Sequence, residues 1–228
     1  MCGRFSITKE EEELEKRFAA RFYSEVLEKR YNIAPSQESA VITNKEPNSI
    51  QLFRWGLVPF WAKDVKIGYK MINARSETIA EKPAFKYAFE KRRCLVIADG
   101  FYEWQKKGKI KIPHRIMIGD SELVAFAGLW ENWKDEKGDW LQSFTIITTD
   151  AVPRIHHLHD RMPVILRRED EKKWIEEELD AEEAKNILQR PQTDLNFYPV
   201  SPLVNSPAND VAEILERVEP PGEPGELF

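Results

Sequence analysis

Cysteine is nearly absent. Cys2 and Cys94 are the only two in 228 residues. Two thiols cannot form a disulfide framework, and a reducing cytoplasm is the simplest setting for them. Together with only four histidines, they match no zinc-site spacing. Glycine is also sparse, at 10 scattered residues. The chain has no Walker loop and no Gly-x-Gly-x-x-Gly, which removes the usual phosphate cradles. No apolar run approaches the roughly 18–20 residues of a membrane span. The start, Met1-Cys2-Gly3-Arg4-Phe5-Ser6, has no apolar stretch after its positive charge, so it does not read as a secretory signal. The expected setting is therefore cytoplasmic, with no membrane partner. Internal repeats are lacking. So is a regular alternation of strands with helices of ten or more residues, which argues against a doubly wound parallel sheet.

What is present suits a folded domain. Hydrophobic residues make up 42% of the chain, with 7 Trp, 6 Tyr and 12 Phe. That is enough apolar material for a sizeable core. Charge is unevenly divided. Residues 1–120 hold 23 Lys and Arg against 16 Asp and Glu, and residues 121–228 hold 11 against 23. Between Arg54 and Arg115 the count is 15 against 6. A basic half beside an acidic half suggests a polyanion-binding face on a chain whose net charge is −5.

The pattern predicts an N-cap in Ser6–Lys9 and a helix from Lys9 to about Phe22, stacking Leu14, Phe18 and Phe22 on one face. Ala40–Thr43 and Ile50–Trp55 read as a strand pair. Short helical patterns cover Ala74–Ala80 and Pro83–Lys91. Short β-branched or aromatic runs follow at Arg93–Ala98, Phe101–Trp104, Arg115–Ile118, Val124–Trp130, Phe144–Thr148 and Val164–Leu166. Turns at Asp99-Gly100, Lys107-Gly108, Gly119-Asp120 and Lys137-Gly138 separate them. Helices are expected at Glu169–Leu179, Ala181–Leu188 and Val211–Val218. The Pro- and Gly-rich tail Glu219–Phe228 is expected to be disordered. Many short strands at close spacing predict a mostly antiparallel sheet curled into a barrel or sandwich, with helices outside.

Four segments could carry chemistry. If Met1 is removed, Cys2 presents an α-amine and a thiol two carbons apart. Their ordinary pKa values, about 7.7–8 and 8.5, leave both partly nucleophilic near neutrality. An amine attacks an aldehyde to give an imine, and the neighbouring thiol can close a five-membered thiazolidine. Glu103 lies among the aromatics of Asp99-Gly100-Phe101-Tyr102-Glu103-Trp104. Burial there would raise its pKa into the general acid–base range. Ile155–Leu166 contains three of the four histidines, His156, His157 and His159. Their spacing fits no strong metal template, and a single working His is the better reading. Finally, Asn73 and Arg75 follow Lys63, Lys66 and Lys70 in the basic half. Asn73 could orient a substrate or cap a helix, and Arg75 could grip a phosphate. Trp55, Trp61 and Trp104 interleave with this region, as a stacking surface for single-stranded bases would require, although Trp55 reads better as core.

In combination these segments resemble one family. The carriers are Met1–Phe5, Trp55-Gly56-Leu57-Val58-Pro59-x-Trp61, Ile72–Thr78, Arg93–Val96 with Asp99–Trp104, Phe126–Trp130 and His159–Leu166. In their order they are similar to the SRAP family, the SOS-response-associated peptidases, whose animal member shields abasic sites. The resemblance spans about residues 2–205. It implies an α+β fold, one compact domain over residues 2–218 with a barrel-like, mostly antiparallel β core and peripheral helices, and a basic groove for abasic-site-containing single-stranded DNA, with covalent capture of the lesion by Cys2 as a thiazolidine during the DNA damage response. It further implies Asn73, Glu103 and His159 as active-site partners, and Arg4 and Arg75 on flanking phosphates. Trp104 and Thr149 would border the groove, and Trp61 would stack on a base. No metal or cofactor is implied. The expected form is a cytoplasmic monomer, associated with the nucleoid when on DNA. Self-removal of Met1 and a lyase side reaction belong to the same picture. Two rivals stay open: an N-terminal-nucleophile amidohydrolase using Cys2, and a nucleic-acid-binding β-barrel without covalent chemistry.

Overall fold

Arg93–Ala98 is buried along its whole length and sits between strands on both sides. An apolar, β-branched run of six residues with no exposed face is suited to such a central position. The structure, a computed structural model, describes residues 2–23, 28–176 and 178–219. In chain order its elements are β1 (Phe5–Ile7), α1 (Glu11–Phe18), β2 (Arg21–Phe22), β3 (Arg30–Ile33), β4 (Glu38–Thr43), β5 (Ser49–Trp55) and β6 (Asn73–Arg75). There follow α2 (Pro83–Lys91), β7 (Arg93–Ala98), β8 (Gly100–Lys107), β9 (Ile110–Ile118), β10 (Val124–Lys134) and β11 (Trp140–Asp150). The last are β12 (Arg161–Pro163), α3 (Arg168–Trp174), α4 (Ala181–Leu188) and β13 (Leu195–Pro199).

Five strands close on themselves in the order β11-β10-β7-β4-β5. The closing pair is parallel, with Arg54 opposite Ser143 and Trp55 opposite Phe144. A second sheet, β13-β9-β8-β1-β3, is antiparallel throughout. Phe5 of β1 joins the two. Its ring lies 5.0 Å from Trp55 and 6.1 Å from Phe126, in edge-on geometry. Gly128 marks a close contact within the ring. A Cβ there would stand 2.7 Å from Val96 Cγ2 and 2.8 Å from Cys94 Sγ. Cys94 is thus a packed, fully buried thiol in the barrel wall. The helices lie outside the sheets. Buried Arg93 ties two of them down by donating to the carbonyls of Phe89, Glu90, Trp174 and Glu176 at 2.6–3.0 Å, near the ends of α2 and α3.

The α+β barrel expectation holds, and several local expectations change. The first helix stops at Phe18 because Ala19 turns left-handed (φ 51°), and Arg21–Phe22 is a strand. Its cap is Glu10, within a capping box with Glu13. The Ser6 and Thr8 hydroxyls instead donate to Asp99. Residues 73–75 form a strand parallel to β11, not a helix start, so Asn73 is no N-cap. Val164–Leu166 contributes one bridge, Phe126 to Ile165, while the strand proper is Arg161–Pro163. The helix expected over Glu169–Leu179 ends at Trp174, and that over Val211–Val218 shrinks to a 3₁₀ turn at Ala212–Leu215. Beyond Glu219, the expected tail lies outside the described residues. No helix among the described residues is long and apolar enough to cross a membrane.

Candidate active site at the N-terminal strand

The path of β1 places Cys2. Its residues pair with β8 (Phe5 opposite Phe101, Ser6 opposite Gly100) and with β3 (Phe5 opposite Ile33). The Tyr102 amide donates to the Arg4 carbonyl at 2.9 Å. One buried carboxylate holds the corner. Asp99 accepts from Ser6 Oγ (2.6 Å), Thr8 N (2.6 Å), Thr8 Oγ1 (2.5 Å) and Arg115 Nη2 (3.2 Å). With β1 so fixed between two strands, Cys2 is buried at its head.

Asn73 Nδ2 donates to the Cys2 carbonyl at 2.7 Å, and its Oδ1 is buried without a hydrogen-bond partner among the described residues. Burial, reinforced by the nearby Glu103 carboxylate, pushes the Cys2 thiol well above its ordinary range. The sequence-based expectation of a partly ionised thiol therefore needs correcting: at neutral pH this sulfur keeps its proton. Glu103 is 3% exposed, and burial pushes its carboxyl up to about 7. It can take or give a proton near neutrality. Burial lowers the His159 pKa below its ordinary value, so the ring is neutral at pH 7. His159 Nδ1 accepts the Arg161 amide at 2.9 Å, which assigns the neutral ring's proton to Nε2. Asp160 Oδ1 lies 2.8 Å from Nδ1, so a proton gained there would be met by a carboxylate.

The loop carrying His159 is anchored by Arg161. Its guanidinium grips Glu77 at 2.7 and 2.9 Å, Asp150 at 2.6 Å and the Thr148 carbonyl at 2.7 Å. Glu103, Trp104, Lys106, Lys111, His159 and Asn205 line one cleft of about 460 Å³. The remaining expected residues are more dispersed. Half-buried Arg4 uses Nη1 on Asn32 Oδ1 and the Val204 carbonyl, both at 2.7 Å, with its guanidinium 6.0 Å from the Trp104 ring. Arg75 is exposed. Thr149 lines a separate cleft with Ser76, Glu77 and Lys185. Trp61 is 50% exposed and lies in neither cleft's lining. His156 and His157 are exposed, and among the described residues no three His, Cys, Asp or Glu gather to hold a metal ion.

Sequence reading missed Asn32, Asp210, Asn205 and the hairpin lysines. Asp210 accepts from the amides of Tyr31 (2.5 Å) and Asn32 (2.9 Å), which sets Asn32 for Arg4. These partners stand nearly 180 residues apart, and no local pattern links them. Asn205 Oδ1 accepts from Trp104 Nε1 at 2.7 Å. The lysines of the turn at Lys107-Gly108 were visible as charge but carried no motif.

The chain is 45% identical over 222 residues to abasic site processing protein YoqW of Bacillus subtilis (strain 168), covering 95% of this chain and 99% of that one. It is 38% identical over 191 residues to the Gallus gallus abasic site processing protein HMCES, covering 73% of this chain and 56% of that longer one. A crystal structure of a Bacteroides thetaiotaomicron protein superposes with a TM-score of 0.87 at 29% identity, covering 96% of this chain and all of that one. The family model for SOS response associated peptidase (SRAP) matches residues 1–207, and the chain belongs to that family.

Proposed function

We propose that this protein captures abasic sites in single-stranded DNA by covalent attachment to Cys2 once Met1 has been removed. The observation that carries the reading is the head of β1: Cys2 is buried, its carbonyl is held by Asn73, and the buried Glu103 carboxyl raises the pKa of its thiol, after burial itself. The abasic processing activity named for the Bacillus relatives supports it.

Each step falls to a group already described. The abasic sugar rests mainly as a closed hemiacetal. The His159 Nε2 proton assists transfer at the ring oxygen as the sugar opens to its aldehyde. The Cys2 amine then adds to C1′. Asn73 Oδ1, an acceptor without a partner among the described residues, orients that amine. Glu103, with its carboxyl at about 7, donates a proton as the carbinolamine loses water to become the imine. The resulting carboxylate takes the Cys2 thiol proton, and the sulfur bonds to the carbon of the protonated imine, whose nitrogen keeps its proton as the ring N–H. The net change is loss of one water, with no oxidant or reductant. The thiazolidine hides the aldehyde from β-elimination. An imine that fails to close can eliminate instead, giving the lyase side reaction. Arg4, Arg75, Trp61, Trp104 and Thr149 serve the flanking strand. Release of Met1 draws on the same Cys2 with Glu103 or His159.

The test is denaturing electrophoresis of processed protein mixed with abasic single strands. A heat-stable adduct is expected. Hydrolysis of small amides without an adduct would favour the amidohydrolase, and binding without an adduct would favour a plain nucleic-acid-binding barrel.

A further inference from the structure

The tip of the β8–β9 hairpin is built against its own electrostatics. Residues 106–111 contain Lys106, Lys107, Lys109 and Lys111 and no acid. Lys106 stands directly opposite Lys111 in the antiparallel ladder. Directly opposed residues share a face, and like charges there are destabilising. Among the described residues neither ammonium has an ion-pair partner: no bridge to either is present among the pairs formed by Arg17, Arg30, Arg115, Arg161 and the other cations. Both lysines are exposed, yet both line the cleft shared by Glu103, Trp104 and His159. Trp104 precedes Lys106 by two positions, so it lies on the same face of β8. An aromatic ring next to two unpaired cations fits a base stacked beside its phosphate. Nothing in the folding of the hairpin requires this juxtaposition. Its turn is served by Gly108 (φ 57°), and Ile112 and Pro113 bury its base.

We propose that Lys106 and Lys111 form a phosphate clamp at the mouth of the cleft, taking one phosphodiester of the strand that enters it. This rests on the reading that single-stranded DNA occupies the cleft, and it extends that reading to a segment that carries no family motif. The clamp removes the hairpin's like-charge repulsion when occupied. It also brings the backbone to a ladder pair two positions from Trp104 and three from Glu103.

The probe is a fluorescein-labelled oligothymidylate without a lesion, followed by anisotropy across a sodium chloride series. Each single-strand phosphate contact adds about 0.7 to the slope of log affinity against log salt. Lys106→Gln with Lys111→Gln, which removes the clamp on one phosphate, should therefore lower the slope by about 0.7 and weaken binding at low salt. Lys16→Gln with Lys172→Gln, which removes the same charge from α1 and α3, should leave the slope at its wild-type value. Lys111→Glu should raise the melting temperature, by turning a repulsive pair into an attractive one, while it weakens binding. An unchanged slope in the hairpin double variant would overturn the proposal. So would an equal fall in the α1–α3 control, since the lysines would then act only through overall charge. These readouts need no covalent chemistry. A wild-type protein that binds with the expected slope but forms no adduct defeats the proposed function and leaves the clamp standing.

Discussion

Glu103 has two properties that pull in opposite directions. Burial pushes its carboxyl up to about 7, against an ordinary value of about 4.3. The folded chain therefore favours the protonated form. Its contribution to stability is complete below about pH 4.3 and is lost as pH rises through about 7. The amide of Glu103→Gln does not titrate, so this variant should be more stable than wild type at pH 8, by up to roughly 3 kcal/mol. The difference should close below pH 5. The same change should slow adduct formation about 10²–10⁴-fold, the usual range for a lost general acid–base group. Urea denaturation at pH 5 and pH 8, with adduct time courses, checks both. A variant destabilised at pH 8 would contradict the assigned environment. Cys94 behaves differently. It packs against Gly128 in the barrel wall, so Cys94→Ala should leave crosslinking intact. Loss of crosslinking in folded Cys94→Ala would mean that the wrong cysteine has been assigned. At this scale the sequence was informative: the aromatics around Glu103 announced its burial. The thiol's raised pKa was not legible, because it depends first on burial at the head of β1 and then on Glu103, which β8 brings up from 101 positions away in the sequence.

Among the elements, β1 does the most for its length. Three residues, Phe5–Ile7, fix the register of Cys2 through Asp99, which is fully buried with Arg115 beside it. Asp99→Ala would remove the acceptor of Ser6 and Thr8 and leave the Arg115 cation buried without its carboxylate. Breaking such a pair costs about 3–5 kcal/mol. We expect a loss of that size in chemical denaturation. Where the protein still folds at low temperature, adduct formation should slow as well, because Cys2 loses its register. Ser6→Ala, which removes one hydroxyl of the cluster, should cost about 1 kcal/mol. An Asp99→Ala protein of wild-type stability would rule out the anchoring role. The short strands show where sequence reading stops. β7, β10 and β11 were visible as apolar runs. β1 and β6, three residues each, exist only through pairing with distant strands, and Ser6 within β1 and Thr8 just after it mimic a helix cap. Helix α1 was extended too far because its apolar spacing continues into Phe22, past the left-handed turn at Ala19.

At the level of the whole molecule, the order of motifs along the chain carried the family and the barrel. The closure of the ring by the parallel β5–β11 contact and the second sheet stacked on it were not legible, since no local signal encodes either. The fold explains why a chain of net charge −5 can still serve a polyanion. The cleft carries Lys106 and Lys111 at its mouth, while its one buried carboxyl, Glu103, is largely neutral below pH 7. Binding to single strands should therefore weaken steeply with salt, and Arg75→Ala should lower the slope by about 0.7. A flat salt response would remove the DNA-facing groove from the account.

The central claim is that the nitrogen and sulfur of Cys2 together make the covalent bond. The direct measurement compares heat-stable adduct on an abasic single strand from processed wild type, Cys2→Ser, Cys2→Ala and a chain that retains Met1. Wild type should give the adduct. Cys2→Ser and Cys2→Ala should give little heat-stable product, an imine that borohydride traps, and more strand cleavage. The Met1-retaining chain should give no stable adduct, because its Cys2 nitrogen is an amide. A heat-stable adduct of normal yield from Cys2→Ala or from the Met1-retaining chain would contradict the account and move the bond to another residue.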